Sequence, residues 1–397
     1  MSSAGDAGRV AELAQSVVAE HDPKQVPVTE FLGACYDAGL SWVHFPVGLG
    51  GLGLSRGLQS VADRVLQGAG GPVPLGLNPM GYGMAAPTVR EHAQTDDLKR
   101  FFLRPLATTE DIWCQLFSEP GAGSDLAGLA TSAVRDGDEW IVNGQKVWTS
   151  LAHKARWGLL LARTDPDAPK HKGLTYFVLD MHAAGVQCRP LRQMTGQAEF
   201  NEVYITEARV PDAHRLGAVG DGWRVAMTTL MNERSALGAS GNRRGSGAIA
   251  DAVQLWASRP ELHTPVLRDR LTRLWLRAEA QRLTSERARA TATAGGPGPE
   301  GSIGKMVGAE LNQRIYEFCM DFLGPEGILY HSYAMHGANE GGDWRGPIQQ
   351  RYLRSRANTI EGGTSEVMRN ILGERVLGLP GDLRADAGMP WKQVPRG

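Results

Sequence analysis

The sequence predicts an α+β chain of several domains: a helical N-terminal domain, a middle antiparallel β-domain and a C-terminal helical bundle. Three observations carry this. Apolar residues recur three and four apart from about residue 8 to 110, and again from about 222 onward. Between about 113 and 215 the pattern becomes two-residue alternation bounded by Gly, Pro and Asp. Nowhere do strand and helix patterns alternate as a parallel α/β sheet requires. At 397 residues the chain is too long for one ordinary core. The expected boundaries are 1–112, 113–217 and 218–380, with a C-terminal tail over 381–397.

The N-terminal helices are read from "VTEFLGACYDAGL" and "GLQSVADRVLQGAG", each closed by Gly. Between them "GLGGLG" (48–53) matches a dinucleotide fingerprint in spelling only. It lacks a βαβ context, and Pro46 argues against a strand feeding it, so a structural loop is expected. In the middle region "EWIVNGQKVWTS" reads as a hairpin turning at Asn143-Gly144. "WGLLLART", "LTYFVLDM" and "FNEVYITEARV" continue as strands. Long helices return in "GWRVAMTTLMNERSAL", "PVLRDRLTRLWLRAEAQRL" and "SIGKMVGAELNQRIYEFCMDFL". "GASGNRRGSG" (238–247) is too Gly-rich for a helix interior, and "AGGPGPEG" (294–301) is a loop.

Composition narrows the function classes. A net charge of -1 leaves no electrostatic footprint for nucleic acid or an anionic membrane. No apolar run reaches the roughly 18–20 residues of a membrane helix, and the N-terminus lacks a signal-peptide pattern. Cys35, Cys114, Cys188 and Cys319 stand far apart without a CxxC pair. A cytoplasmic protein with no metal site is the expectation.

The sharpest stretch is "QLFSEPGAGSDLAG" (115–128). A short apolar strand runs into a turn of small residues, whose backbone N–H groups and hydroxyls suit a polar ring edge or a phosphate. An Asp/Gly surface turn has the same composition. "WTS" (148–150) ends its strand with an indole and hydroxyls, suited to cover a flat aromatic cofactor.

"SEPGAGSD", "NGQKVWTS", "LGPEGIL" (323–329) and "GGTSEVMRNIL", in this order, resemble the acyl-CoA dehydrogenase family, as does the "PVGLGGLGL" loop. The likeness covers nearly the whole chain. It implies a helical domain, a β-domain and a C-terminal four-helix bundle, with FAD at their junction. Gln115, Phe117, Ser118, Gly123 and Ser124 would line the flavin, and Ser124 would also contact CoA. Trp148, Thr149 and Ser150 would cover its other side. Gly324 would lie along the adenosine end, and Thr364 to Glu366 near the pyrophosphate. The implied reaction passes an α-proton of an acyl thioester to a carboxylate and a β-hydride to FAD.

Two departures from the family pattern bear on the site. An Arg-Phe-Gly contact to FAD across a dimer interface is not found in residues 250–271. The commonest base position, two before Thr364, is Gly362, so Glu361 falls one place off. An acid there is also a good turn residue beside a helix N-terminus. Other members carry the base on a bundle helix before an Arg, and "MNERSALG" (231–238) offers Glu233 followed by Arg234. Glu233 shares a helical face with Ala226, Leu230 and Leu237, where partial desolvation raises a carboxyl toward a useful base. A polar Asn-Glu-Arg surface patch is the plain alternative. Glu233 is therefore the expected base, Glu361 the second choice, and Arg234 a substrate contact.

The resulting expectation is an oligomeric acyl-CoA dehydrogenase that passes electrons to an electron-transfer flavoprotein. Two rivals stay open: a partner-dependent, mainly structural subunit of a heteromeric dehydrogenase, and a flavin-dependent oxygenase on the same fold.

Overall fold

The computed structural model describes residues 3–238, 243–291, 301–330, 332, 334, 346–384 and 386–395. The chain divides into two compact units: 1–189 with 200–229 and 386–397, and 190–199 with 230–385.

The first unit begins with helices α1 (Ser3–Glu20), α2 (Val28–Asp37), α3 (Gln59–Gly68), the short α4 (Pro74–Leu77), α5 (Ala86–His92) and α6 (Asp96–Thr108). The apolar faces of α1, α2 and α3 close on Val10, Ala14, Phe31, Leu32 and Leu66. Helix α6 starts cleanly because Thr95 Oγ1 accepts from the Leu98 N–H and two aspartates sit in its first turn. The glycine loop is a packing turn. Leu52 and Leu54 N–H both donate to the Val43 carbonyl at 3.1 Å, and a Cβ on Gly51 would lie 2.1 Å from the Phe45 carbonyl oxygen.

Eight strands follow: β1 (Trp113–Leu116), β2 (Ser132–Asp136), β3 (Glu139–Ser150), β4 (Trp157–Arg163), β5 (Leu174–Asp180), β6 (Val186–Leu191), β7 (Phe200–Pro211) and β8 (Arg215–Leu216). They form one sheet in the order β6-β7-β3-β2-β4-β5-β8, with β1 beside β4. The sheet is antiparallel except where β1 and β2 meet β4 in parallel.

The expected turn at Asn143-Gly144 is corrected. Strand β3 runs straight through it, and the hairpin turns instead at Gly137-Asp138, between partners Asp136 and Glu139. Gly137 takes the left-handed φ of +65° that a two-residue hairpin loop needs at its first position. The bulge lies opposite, on β7: between the pairs Val142–Ala208 and Gly144–Ile205, Thr206 and Glu207 face Asn143 alone, with Glu207 at φ +51°. Gly144 is required there by closeness, since a Cβ would lie 2.2 Å from Thr131 Oγ1.

Helix α7 (Gly222–Gly238) buries Gly222, Val225, Ala226 and Thr229 along one face. The Thr229 hydroxyl meets those of Thr88 on α5 and Tyr176 on β5, each at 2.9 Å. This buried chain ties three elements of the first unit together.

In the second unit α8 (Ala248–Ser258), α9 (Pro265–Thr291) and α10 (Gly301–Leu323) pack around Ile249, Leu271, Ile315, Phe318 and Phe322. Helices α11 (Ile348–Ser355) and α12 (Ser365–Arg375) lie against α10. A Tyr316–Asp251–Arg351 network joins α8, α10 and α11, with contacts of 2.7 and 2.6 Å to Asp251. No helix among the described residues is long and apolar enough to cross a membrane.

Candidate active site

Strand β1 buries Trp113, Cys114 and Leu116, and the chain leaves it at buried Phe117, edge-on to Tyr176 at 5.8 Å. Glu119 and Ala122 close the next turn with reciprocal N–H···O bonds of 3.0 Å. The Glu119 side chain is turned inward and almost wholly buried. It accepts from the Ala130 and Thr131 N–H groups at 2.7 and 2.9 Å and from Lys146 Nζ at 2.9 Å. Lys146, on β3, spends its other two donors on the Phe117 and Leu161 carbonyls at 3.0 and 2.9 Å. All three ammonium protons thus have acceptors, as a wholly buried lysine requires.

Burial alone would raise the Glu119 carboxyl, but the Lys146 charge and the hydrogen bonds from Thr131 and Ala130 outweigh it and hold it below the ordinary range. Burial pulls the Lys146 ammonium down from the usual lysine range, with Glu119 opposing. This pair fixes the root of the turn. Sequence reasoning passed over Lys146, because a lysine in a strand reads as solvent-facing. The available signal was an acid directly preceding Pro120 and a lysine two before Trp148.

Past Lys146 the β3–β7 ladder slips, and the slip aims the end of β3 at the turn. The Val147 N–H donates to the Ser118 carbonyl at 2.9 Å, so the two quoted motifs are joined directly. Trp148 sits at φ +60° with its side chain 60% exposed, braced edge-on by Phe200 at 6.0 Å. The slip sets Val147 and Trp148 against Glu202 alone, so the left-handed Trp148 belongs to a bulge that leaves its indole open to solvent. Next to it the Thr149 hydroxyl is buried without a hydrogen-bond partner. Gln115, Ser118 and Ser150 are half-buried, and Gly123 and Ser124 are exposed. A Cβ built on Gly121 or Gly123 meets nothing within 4 Å. The first unit therefore brings together the sequence-predicted residues from Gln115 to Ser124 and from Trp148 to Ser150.

The remaining candidates stand in the second unit. Gly324 follows α10 with φ +57° and open space at its Cβ position. Thr364 caps α12, accepting from the Val367 N–H at 3.1 Å, and Glu366 stands exposed in the first turn. The Glu361 carboxylate is engaged twice by Arg354, at 3.1 and 2.8 Å, and by Asn358 Nδ2 at 2.7 Å. Lys305 Nζ holds the Asn358 and Gly363 carbonyls of the same turn. Gly362 and Gly363 both have positive φ, 62° and 97°. Glu233 and Arg234 belong to α7, but their side chains lie outside the described residues. Position 233 follows buried Thr229 by one helical turn.

The family description "Acyl-CoA dehydrogenase, middle domain" matches residues 114–208, and "Acyl-CoA dehydrogenase, C-terminal domain" matches 220–377. The chain is 42% identical over 349 residues to acyl-CoA dehydrogenase FadE34 of Mycobacterium tuberculosis, covering 87% of this chain and 46% of that one. It thus spans about half the length of that relative. It is 40% identical to acyl-CoA dehydrogenase IpdE1 of the same organism, covering 86% of each. Among solved structures, the Tcur3481-Tcur3483 steroid ACAD is similar with a TM-score of 0.72 and 27% identity, covering 96% of this chain and 99% of that one. The ChsE4-ChsE5 complex from Mycobacterium tuberculosis gives 0.69 and 28%, covering 95% and 98%. With matched descriptions over its β-domain and bundle, and a relative at 40% identity along most of both chains, the chain belongs to the acyl-CoA dehydrogenase family.

Proposed function

We propose that this protein is a FAD-dependent dehydrogenase that introduces an α,β double bond into an acyl-CoA thioester. The observation that supports it most is the join between the Ser118 turn and Trp148-Thr149. An exposed, strained indole, an unpartnered buried hydroxyl and two glycines facing open space lie on adjoining segments. These features fit a flat, hydrogen-bonding ring. The family is FAD-dependent, and bound FAD would supply the acceptor for the β-hydride.

The chain's own residues would do the rest. Gln115, Phe117 and Ser118 would border the ring edge, and Trp148, Thr149 and Ser150 would cover it. Gly123 and Ser124 would leave room for the polar part of the thioester, with Ser124 touching it. Gly324, Thr364 and Glu366 would hold the adenosine and pyrophosphate portions. Glu233 would take the α-proton, its carboxylate becoming a carboxylic acid as the C=C bond forms, and Arg234 would orient the thioester. Glu361 is already committed to Arg354 and Asn358, which disfavours it as the base. A cytoplasmic oligomer that delivers its electrons to an electron-transfer flavoprotein completes the proposal.

A second reading, a subunit that needs a different partner chain to complete its site, is favoured by two solved relatives whose names each join two proteins. Expression of the full chain alone tests both. Yellow protein that is bleached anaerobically by one of a panel of straight, branched and steroid-ring acyl-CoAs supports the first. Colourless protein that takes up FAD only with a co-expressed partner supports the second.

A further inference from the structure

The last residues of the chain, expected as a tail, return to the first unit and lie against the turn that follows "SEPGAGSD". The Trp391 and Lys392 N–H groups donate to the Ala168 and Pro166 carbonyls at 3.0 Å each, and Pro390 bridges Pro169. From there the Trp391 indole N–H reaches the Gly128 carbonyl at 3.1 Å. Its ring face carries the Arg163 guanidinium, 4.2 Å from the centroid. Arg163 in turn donates to the Ala127 and Leu129 carbonyls at 2.7 and 3.1 Å. Three consecutive carbonyls of the turn are thus held by Trp391 or by the arginine stacked on it. Lys170 adds a charged link, with Nζ 2.9 Å from Asp125 and 2.5 Å from Asp386.

The turn needs outside support. Its tip contains Gly121 and Gly123, which have no side chains to pack, and Ser124 and Asp125 are exposed. Glycines at such places leave the backbone conformationally free. The Glu119–Lys146 pair anchors its root, and Glu119 reaches past its far end to the Ala130 and Thr131 N–H groups. The carbonyls of 127 to 129 in between are left to the C-terminal segment and Arg163.

We infer that residues 386–395 are a strap that holds the Ser118–Gly128 turn in its ligand-binding shape, with Trp391 as the positioning residue. The inference rests on the reading of that turn as the flavin and thioester site. Trp391 acts through Gly128 and Arg163 and would not touch either ligand. Loss of the strap would therefore weaken binding more than it slows the chemical step.

The test compares the full-length chain with Trp391→Ala, Trp391→Phe and Asp386→Asn. Hydrogen exchange is measured on the ligand-free protein for amides 119–131, with β7 amides 203–210 as the internal reference. Removing the Gly128 donor and the arginine's platform should speed exchange in 119–131 by about tenfold or more, leaving β7 unchanged. Trp391→Phe keeps the ring without the N–H and should fall between wild type and Trp391→Ala. In the flavin-loaded protein, KM for the best acyl-CoA should rise about fivefold or more while kcat stays within about threefold. Unchanged exchange in the turn, an equal loss of protection in β7, or a fall in kcat at constant KM would overturn the strap. If Trp391→Ala does not fold, Trp391→Phe and Asp386→Asn decide by the same criteria. A wild-type chain that binds neither FAD nor thioester would defeat the functional reading instead, and the exchange measurement would still judge the strap.

Discussion

Lys146 and Glu119 form an ion pair inside the β-sheet layer, 2.9 Å apart, with the lysine side chain wholly buried and the glutamate 8% exposed. Their worth lies in completeness, since every lysine proton is accepted and the carboxylate takes three donors. Lys146→Met should cost about 3–5 kcal/mol, because it leaves Glu119 buried and uncompensated. Urea unfolding checks this, with the m-value expected to stay constant.

The same pair predicts an acid limb in stability. Glu119 has a folded pKa below its unfolded value of 4.5. Its contribution is therefore fully present above pH 4.5 and is lost as pH falls through the folded value. Unfolding free energies measured from pH 6 downward should decline in that window, and Glu119→Gln should flatten the decline.

Two glycines of β2–β3 should answer alanine differently. Gly144→Ala would force a methyl against Thr131, at 2.2 Å from Oγ1, and should cost about 1–3 kcal/mol by overpacking. Gly137→Ala meets open space but has φ +65°, so only the left-handed penalty of about 1–2 kcal/mol applies. Crystal structures would separate the cases. A shifted Thr131 is expected only in Gly144→Ala.

Trp148 should be kept for its ligand and not for stability. Trp148→Gly removes the strained φ, so its unfolding free energy should stay within about 1 kcal/mol of wild type. FAD affinity, titrated by flavin fluorescence, should nonetheless fall by about tenfold, the scale of one lost aromatic stack.

The helices were legible because their burial follows a regular period. α2, α3 and α10 have apolar faces aimed at one core each, and glycine ends α2 as expected, with Gly39 at φ +77°. Strands β4 and β5 were legible as short apolar runs. β6 was missed because "VQCRPL" is a half-exposed edge strand containing Pro190, which looks like a loop. Asn143-Gly144 misled because the dipeptide that favours a hairpin turn also serves inside a strand where a neighbour, here Thr131, leaves no room for a side chain. At the site, the small-residue turn and "WTS" could be read as chemistry. The Glu119–Lys146 anchor left only its two residue types beside the motifs, and the Trp391 contacts left nothing, since these pairings span 27 and 263 residues of chain.

The most direct measurement is anaerobic stopped-flow reduction of the flavin-loaded protein by its best acyl-CoA, in wild type, Glu233→Gln and Glu361→Gln. Glu361 pairs with Arg354 at a site more than a third exposed, so Glu361→Gln should cost at most about 1 kcal/mol of stability. It should bleach within about tenfold of the wild-type rate. Glu233→Gln should keep the wild-type flavin spectrum and lose about 10²–10⁴ in the rate of bleaching. A Glu233→Gln enzyme that bleaches at the wild-type rate, beside a Glu361→Gln enzyme that does not bleach, would contradict the assignment of the α-proton to Glu233.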